Sequence, residues 1–403
     1  MKILHVNTLC EGGAATACIN LHKGLLQEGI DSMFLSLNET NSNIPECDSL
    51  RSYYKGLDRF IFEQKNIFYK SHINFVFRNY PIVQEPLMSP NSFFDITDHP
   101  FYHKADVINL HWVGGFLDYT SFFKRNKKPV VWTLHDMSPF SPGYPYEKNF
   151  PKATFKKLES KFIKTKIASL REKNITVISP SRWLMNKSLQ SKVFKNFTHL
   201  NIPYGIDTNL FKIYDRNVAR EILGLPKEKN ILLFVSDIVE NKRKGLHLLF
   251  ESIKSIKNSD NLILCTIGKK QNNMDVKGQL NIIELGSFKD PILMALAYSA
   301  ADLFLIPSVE DNLPNTVLES LACGTPVIGF KVGGVPEMIE HKINGLLCPT
   351  IDSLNLAKSI KRFLNKDYLF DKDFVSNKAK KEYDLSIQAR AYIEVYSNLL
   401  NNN

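Results

Sequence analysis

Residues 308–329 read "SVEDNLPNTVLESLACGTPVIG". An apolar strand candidate, Leu303–Ile306, runs into this stretch at Pro307, and a polar loop follows. Pro314 suits the first turn of a helix, where a missing N–H costs nothing. The spacing of Val317, Leu318 and Leu321 continues that helix, and Gly324 ends it. A second short apolar run, Val327–Phe330, begins the next strand. Strand, loop, helix and strand in so few residues form the repeating unit of a parallel sheet. The loop then lies at the carboxyl end of its strand, where such sheets bind ligands.

The same alternation extends in both directions. Lys2–Asn7 reads as a strand, followed by a Gly12-Gly13 turn and a helix from Ala14 to Glu28. Met33–Leu37, Val107–Leu110, Val130–Leu134 and Thr176–Ser179 are further strands. The pattern restarts with strand Ile231–Ser236, a helix from Gly245 to Lys257, strands Leu262–Ile267 and Ile282–Leu285, and helix Pro291–Ala300. Val335–Ile339 is read as another helix. The fold class is α/β, as two doubly wound, Rossmann-like domains facing a central cleft. The expected domains are 1–205 and 206–385. A helix over 386–403 is expected to pack back on the first domain. Residues 52–103, aromatic-rich, read as an irregular insertion beside the cleft.

Composition fits a soluble protein, with 403 residues, 44% of them hydrophobic and 23% charged. No apolar run approaches the ~20 residues that span a bilayer. The amino terminus enters a strand directly without the blocks of a signal peptide, so a cytoplasmic location is expected. The six cysteines are scattered without metal-ligand spacing, and neither a disulfide framework nor a metal is expected. Net charge is +10 and uneven. Between Lys148 and Lys195 thirteen Lys or Arg face only Glu159 and Glu172. Lys157, Lys161 and Lys164 suggest one basic helix face. A solvated surface accounts for it, as does binding to an anionic surface, either the inner face of a membrane or an acidic acceptor. No nucleic-acid recognition module accompanies the charge.

Asp311 and Glu319 stand eight residues apart, one in the loop and one inside the helix. Glu319 lies six residues beyond Leu313, roughly 9 Å along a helix axis. A retaining glycosidase pair needs about 5 Å, so two holds on one elongated ligand fit better. A helix cap and an exposed acid would also account for the pair taken alone. The helix start, with the backbone of Leu313, Asn315 and Thr316, offers N–H groups and a positive dipole end to a phosphate or sugar hydroxyl. Gly12 and Gly13 open a helix after a strand, without the third glycine of a dinucleotide fingerprint. Lys242-Arg243-Lys244-Gly245 opens another and suits a diphosphate, although a solvated basic turn reads the same way. Gly333-Gly334 is a further close-approach turn.

Asp311-x7-Glu319, Ala322-Cys323-Gly324-Thr325-Pro326-Val327 and Gly333-Gly334-Val335-Pro336-Glu337 together resemble the retaining glycosyltransferases of family 4, which have the two-domain GT-B fold. "IPYGIDTNLF" (Ile202–Phe211) is similar to that family's interdomain segment, and "PVVWTLHD" (Pro129–Asp136) to a branch building bacterial surface polysaccharides. The resemblance implies a metal-independent, cofactor-free transfer from a nucleoside-diphosphate sugar to a lipid-linked glycan acceptor. It implies that Glu319 bonds the donor ribose and that Arg243 and Lys244 hold the diphosphate. Asp311, with the backbone at Leu313 to Thr316, would address the transferred sugar. Gly12 and Gly13 would close over the phosphates, and His135 would sit near the anomeric carbon. Asp136 and His111 are weaker candidates.

Two departures stand out. The first acid of the motif is usually Glu and here is Asp311. Ser236-Asp237 replaces a common Gly-Arg, and an aspartate beside a diphosphate would repel it. A non-catalytic GT-B protein binding nucleotide sugar or a partner glycosyltransferase, and a nucleotide-sugar epimerase, share the same fold.

Overall fold

The computed structural model describes residues 1–78, 80, 85, 87–148, 150–239, 241–256, 261–269 and 281–401. Two compact units divide the chain, residues 1–205 with 385–403, and residues 206–384.

The first unit is built on strands β1 (Lys2–Val6), β2 (Asp31–Ser36), β3 (Cys47–Ser49), β4 (Val107–Leu110), β5 (Val130–Thr133), β6 (Ile175–Ser179) and β7 (Thr198–Asn201). They pair in the order β3-β2-β1-β4-β5-β6-β7, every pair parallel. Most of these residues are buried, as both-face coverage by helices requires. The second unit repeats the plan with β8 (Asn230–Ile238), β9 (Leu262–Lys269), β10 (Ile282–Glu284), β11 (Leu303–Ile306), β12 (Val327–Phe330) and β13 (Gly345–Cys348). Its order is β10-β9-β8-β11-β12-β13, again parallel. Both are doubly wound sheets. Each reverses direction once, between β1 and β4 and between β8 and β11. In each unit, the loops after those two strands flank that sheet's own crevice, where doubly wound sheets bind ligands.

The edge strands β3 (CDS) and β7 (THLN) were not legible as strands, because neither carries a continuous apolar run, and β13 (GLLC) was not read as one either. The helix read from Gly245 spans Leu246–Lys254, and Lys257 lies outside the described residues. The last helix, Leu385–Asn401, packs within the first unit, and residues 402 and 403 are not described. Its Tyr392 hydroxyl meets Thr133 Oγ1 at 2.9 Å, and Tyr396 accepts a hydrogen bond from Asn109 Nδ2 at 2.7 Å. Leu385 belongs with this helix rather than with the second unit. Its carbonyl lies against Gly24, where an added Cβ would approach to 3.0 Å.

The reading of 52–103 as irregular is corrected. Gly56–Phe77 is a 22-residue α-helix. Its inward face carries Phe62, which packs on Phe94 and Tyr54, and Tyr69, which meets Phe93 and Phe94. Its opposite face is also apolar, with Leu57, Phe60, Phe68 and Phe75 exposed. With apolar residues on both faces the helical period vanishes from the sequence.

Candidate functional site

In the second unit the loops after β8 and β11 are locked to each other. Lys242–Lys244 form a single 3-10 turn, closed by Gly245 in the left-handed region at φ 77°. A Cβ there would lie 1.9 Å from the carbonyl oxygen of Pro307, so only glycine permits the approach. The N–H of Val309 donates to the Arg243 carbonyl at 2.8 Å. On the other side Gly333, at φ 51°, lies so close that a Cβ would meet the Asp311 carbonyl oxygen at 1.7 Å. The Gly334 N–H donates to that same oxygen at 3.2 Å.

Asp311 is thereby held against the two cations. Lys244 Nζ reaches Asp311 Oδ2 at 2.7 Å, and Arg243 Nη1 reaches Oδ1 at 3.4 Å. Ser308 Oγ donates to Oδ2 at 3.0 Å and the Asn312 N–H to Oδ1 at 3.2 Å. Burial works to raise the Asp311 carboxyl, but Lys244 and Arg243 outweigh it and hold it down at about 2. The pairing was not legible in the sequence, where the groups are nearly 70 residues apart. Arg243 Nη1 also donates to the Glu310 carbonyl at 3.0 Å, which orients its guanidinium.

The helix after β11 spans Asn315–Ala322 with Pro314 as its N-cap. Leu313 is buried, while Asn315 and Thr316 are partly exposed at its start. Glu319 sits in mid-helix and accepts a hydrogen bond from the Tyr298 hydroxyl at 2.8 Å. Burial pushes its carboxyl up to about 7, and the nearby Asp237 carboxylate adds to the rise while Tyr298 opposes it. Asp237 is exposed at the end of β8, and its field reaches Glu319. Tyr298 went unnoticed in the sequence, because a helical tyrosine followed by small residues carries no signal of its partner.

In the first unit Gly12 takes φ 94° as the N-cap of the Gly13–Gln27 helix. A Cβ on Gly13 would meet nothing within 4 Å. His135 follows β5 and belongs to a buried chain of polar side chains. His5 Nδ1 meets His111 Nε2 at 3.0 Å, His111 Nδ1 meets His135 Nε2 at 3.0 Å, and His135 Nδ1 meets the Tyr204 hydroxyl at 2.7 Å. Both ring nitrogens of His135 are therefore engaged by protein groups. A proton accepted from a substrate would first require His111 or Tyr204 to let go. Burial lowers the His135 imidazole to about 3, so the ring is neutral.

Asp136 serves its own loop. Its Oδ1 accepts from the Ser138 N–H at 2.7 Å and from the Ser138 hydroxyl, and its Oδ2 accepts from Trp112 Nε1 at 3.2 Å. Among the described residues His5, Cys18 and His111 place ligand atoms within 4.8 Å of one another. Their spacing in sequence gave no hint of this cluster. Burial lowers both imidazoles and raises the thiol, so all three groups are neutral.

The basic stretch is not uniform either. Lys166 is buried and donates to the carbonyls of Ser138 and Ser141 at 2.5 and 2.8 Å. Burial lowers its ammonium to about 7. Lys156 and Lys164 line a cavity of about 700 Å³ with Lys187, Phe140, Ile163 and Ile167. Lys157 and Lys161 are exposed elsewhere on the Lys152–Leu170 helix.

Residues 229–366 match the family model described as Glycosyl transferases group 1. The chain is 26% identical over 283 residues to a D-inositol 3-phosphate glycosyltransferase of Thermobispora bispora, covering 65% of this chain and 63% of that protein. It is 29% identical over 178 residues to a protein described as a teichuronic acid biosynthesis glycosyltransferase, TuaC, of Bacillus subtilis, covering 43% of each. The chain thus spans less than two thirds of either relative. Anabaena Alr3699/HepE, solved with UDP and glucose, superposes with a TM-score of 0.68 at 17% identity, over 98% of this chain and 99% of that one. By these matches, the chain has the GT-B fold of solved glycosyltransferases, and its residues 229–366 are similar to the group 1 glycosyl transferases.

Proposed function

We propose that the protein is a retaining, family 4 glycosyltransferase that moves a sugar from a nucleoside-diphosphate sugar to a hydroxyl of a lipid-linked bacterial surface glycan. One observation carries the reading: Arg243, Lys244 and Asp311 form a single charged cluster, on the loops where the sheet of the second unit reverses. An incoming diphosphate competes with Asp311 for the two cations. Asp311, displaced but ionised, is left to accept hydrogen bonds from the sugar hydroxyls. Glu319 in its ionised form accepts from the ribose. Negative charge on the departing diphosphate is met by Arg243, Lys244 and the start of the Asn315–Ala322 helix, so the scheme requires no metal ion.

The lipid-linked acceptor is supported by the first unit's cavity, where Lys156, Lys164 and Lys192 outnumber Glu159, Lys187 pairs with Glu147, and the walls are apolar. The surface-glycan role is supported by the likeness of the Pro129–Asp136 segment and by the TuaC match. An anionic cytoplasmic membrane surface near Lys148–Lys195 is the proposed workplace. The test incubates the protein with a panel of nucleotide sugars, with and without a bacterial membrane extract. Nucleoside diphosphate should be released only when extract is present, and product NMR should show the donor's anomeric configuration retained. A donor altered without extract would make the protein an epimerase, and no turnover of any donor would make it a binding protein.

A further inference from the structure

The helix Gly56–Phe77 exposes six large apolar side chains: Leu57 at 73%, Phe60 at 60%, Ile61 at 44%, Ile67 at 59%, Phe68 at 62% and Phe75 at 60%. At 100° per residue all six fall on one side, opposite the buried Phe62 and the ring-packed Tyr69. Only Gln64 and Ser71 interrupt the stripe, and neither is charged. The helix acids lie off it, and Glu63 is bound by Arg51 at 2.8 Å and by Arg59 at 3.0 Å. Single exposed apolar residues need no explanation, whereas a continuous stripe marks a surface that is covered in use.

What covers it follows from its neighbours. Just beyond the helix, Tyr80 stacks on Phe155 with ring centroids 4.6 Å apart, so the carboxyl end of the apolar helix leads to the start of the Lys152–Leu170 helix. That second helix exposes Lys152, Lys156, Lys157, Lys161 and Lys164, and the apolar helix adds exposed Lys65 and Lys70. An apolar stripe flanked by cations fits the headgroup boundary of an anionic bilayer, with about 5–10 Å of insertion. A second copy of this chain would bring the same cations against each other. We infer that Gly56–Phe77 lies flat in an anionic lipid surface, its phenylalanines inserted and the Lys152–Leu170 lysines resting on the headgroups. The inference deepens the membrane partner proposed above. It replaces purely electrostatic docking by two separable contributions, one screened by salt and one not.

The test is flotation of the full chain with vesicles of phosphatidylglycerol and phosphatidylethanolamine, and separately with phosphatidylcholine alone. The wild type should float with the anionic vesicles at low salt and remain partly bound at about 0.5 M salt, where the Debye length is only a few ångström. Phe60→Ser/Phe68→Ser/Phe75→Ser should lose that salt-resistant fraction by about tenfold or more. Lys156→Gln/Lys157→Gln/Lys161→Gln should lose chiefly the salt-sensitive part. In a Phe68→Trp chain, brominated lipid should quench the indole. Thermal stabilisation by nucleoside diphosphate should survive in each variant, because these side chains lie outside the donor loops, so failed docking is distinguishable from a failed donor site. The inference is overturned if the wild type ignores anionic vesicles at low salt, or if the serine variant floats like the wild type at high salt. It is equally overturned if the serine changes only split a wild-type dimer, since the stripe would then belong to a second copy.

Discussion

Lys244 Nζ lies 2.7 Å from Asp311 Oδ2, although the two residues sit in loops after different strands. An anionic side chain thus occupies the cations assigned to the donor diphosphate. The carboxylate is both a folding partner of Lys244 and a competitor of any phosphate that seeks it.

Removing the competitor should separate binding from turnover. Asp311→Asn should tighten binding of free nucleoside diphosphate by several-fold, up to about tenfold, or about 1.4 kcal/mol. Transfer should fall by about a hundredfold or more, because the sugar loses its charged acceptor. The folded state should lose about 1–3 kcal/mol with the ion pairs to Lys244 and Arg243. Asp311 is held below its usual range, so its stabilising contribution is present above an unfolded pKa near 4 and is lost as pH falls through about 2. Calorimetric titration of the variant with nucleoside diphosphates decides the matter, and weaker binding would show that Asp311 supports the phosphate site.

The clamp itself is tested by Arg243→Ala and Lys244→Ala. Either should cost roughly 1.5–3 kcal/mol of donor or transition-state binding, the scale of a charge-assisted hydrogen bond. If the double variant binds nucleoside diphosphate as tightly as the wild type, these residues do not hold it.

Glu319 gives a pH signature. Its folded pKa of about 7 is raised above the unfolded value, so the folded state holds the extra proton. That contribution to stability is complete below about pH 4.5 and is lost as pH rises through 7. Glu319→Gln should therefore melt higher than the wild type above pH 7, by about 1–2 kcal/mol, with little difference near pH 5. Nucleoside diphosphate affinity in the wild type should strengthen as pH rises through 7, because the ribose needs the ionised form. Thermal melts and titrations across that range supply both readings, and a flat profile in the wild type would remove Glu319 from the ribose role.

The glycines separate structural from ligand roles. Gly245→Ala forces a Cβ to 1.9 Å from the Pro307 carbonyl and should destabilise the second unit by about 2 kcal/mol or more. Gly13→Ala meets nothing within 4 Å and stands in a helix first turn, so it should leave the melting temperature unchanged or slightly higher. The same change should weaken donor affinity if a phosphate approaches this backbone. Unaltered affinity in the Gly13 variant would free that helix start from the donor site.

The alternation of strands and helices and the motif order were legible because both are local. A strand's apolar run and a helix's cap record how an element meets its immediate surroundings, and Val107–Leu110, Pro291–Ala300, Leu303–Ile306 and Val327–Phe330 stand where the pattern put them. The helix Gly56–Phe77 was hidden for the same reason, since apolar residues on opposite faces cancel the period on which such reading depends. Only the tertiary structure decided that β1 adjoins β4 and β8 adjoins β11, which places the candidate residues on the loops where each sheet reverses. It alone paired Asp311 with Lys244, Glu319 with Tyr298, and His135 with His111 and Tyr204. Those partners lie tens of residues apart, and a charge or ring nitrogen leaves no periodic trace of the distant group it will meet. The residue types were therefore set by the sequence, while their protonation and availability to a ligand were set by what folding brought beside them.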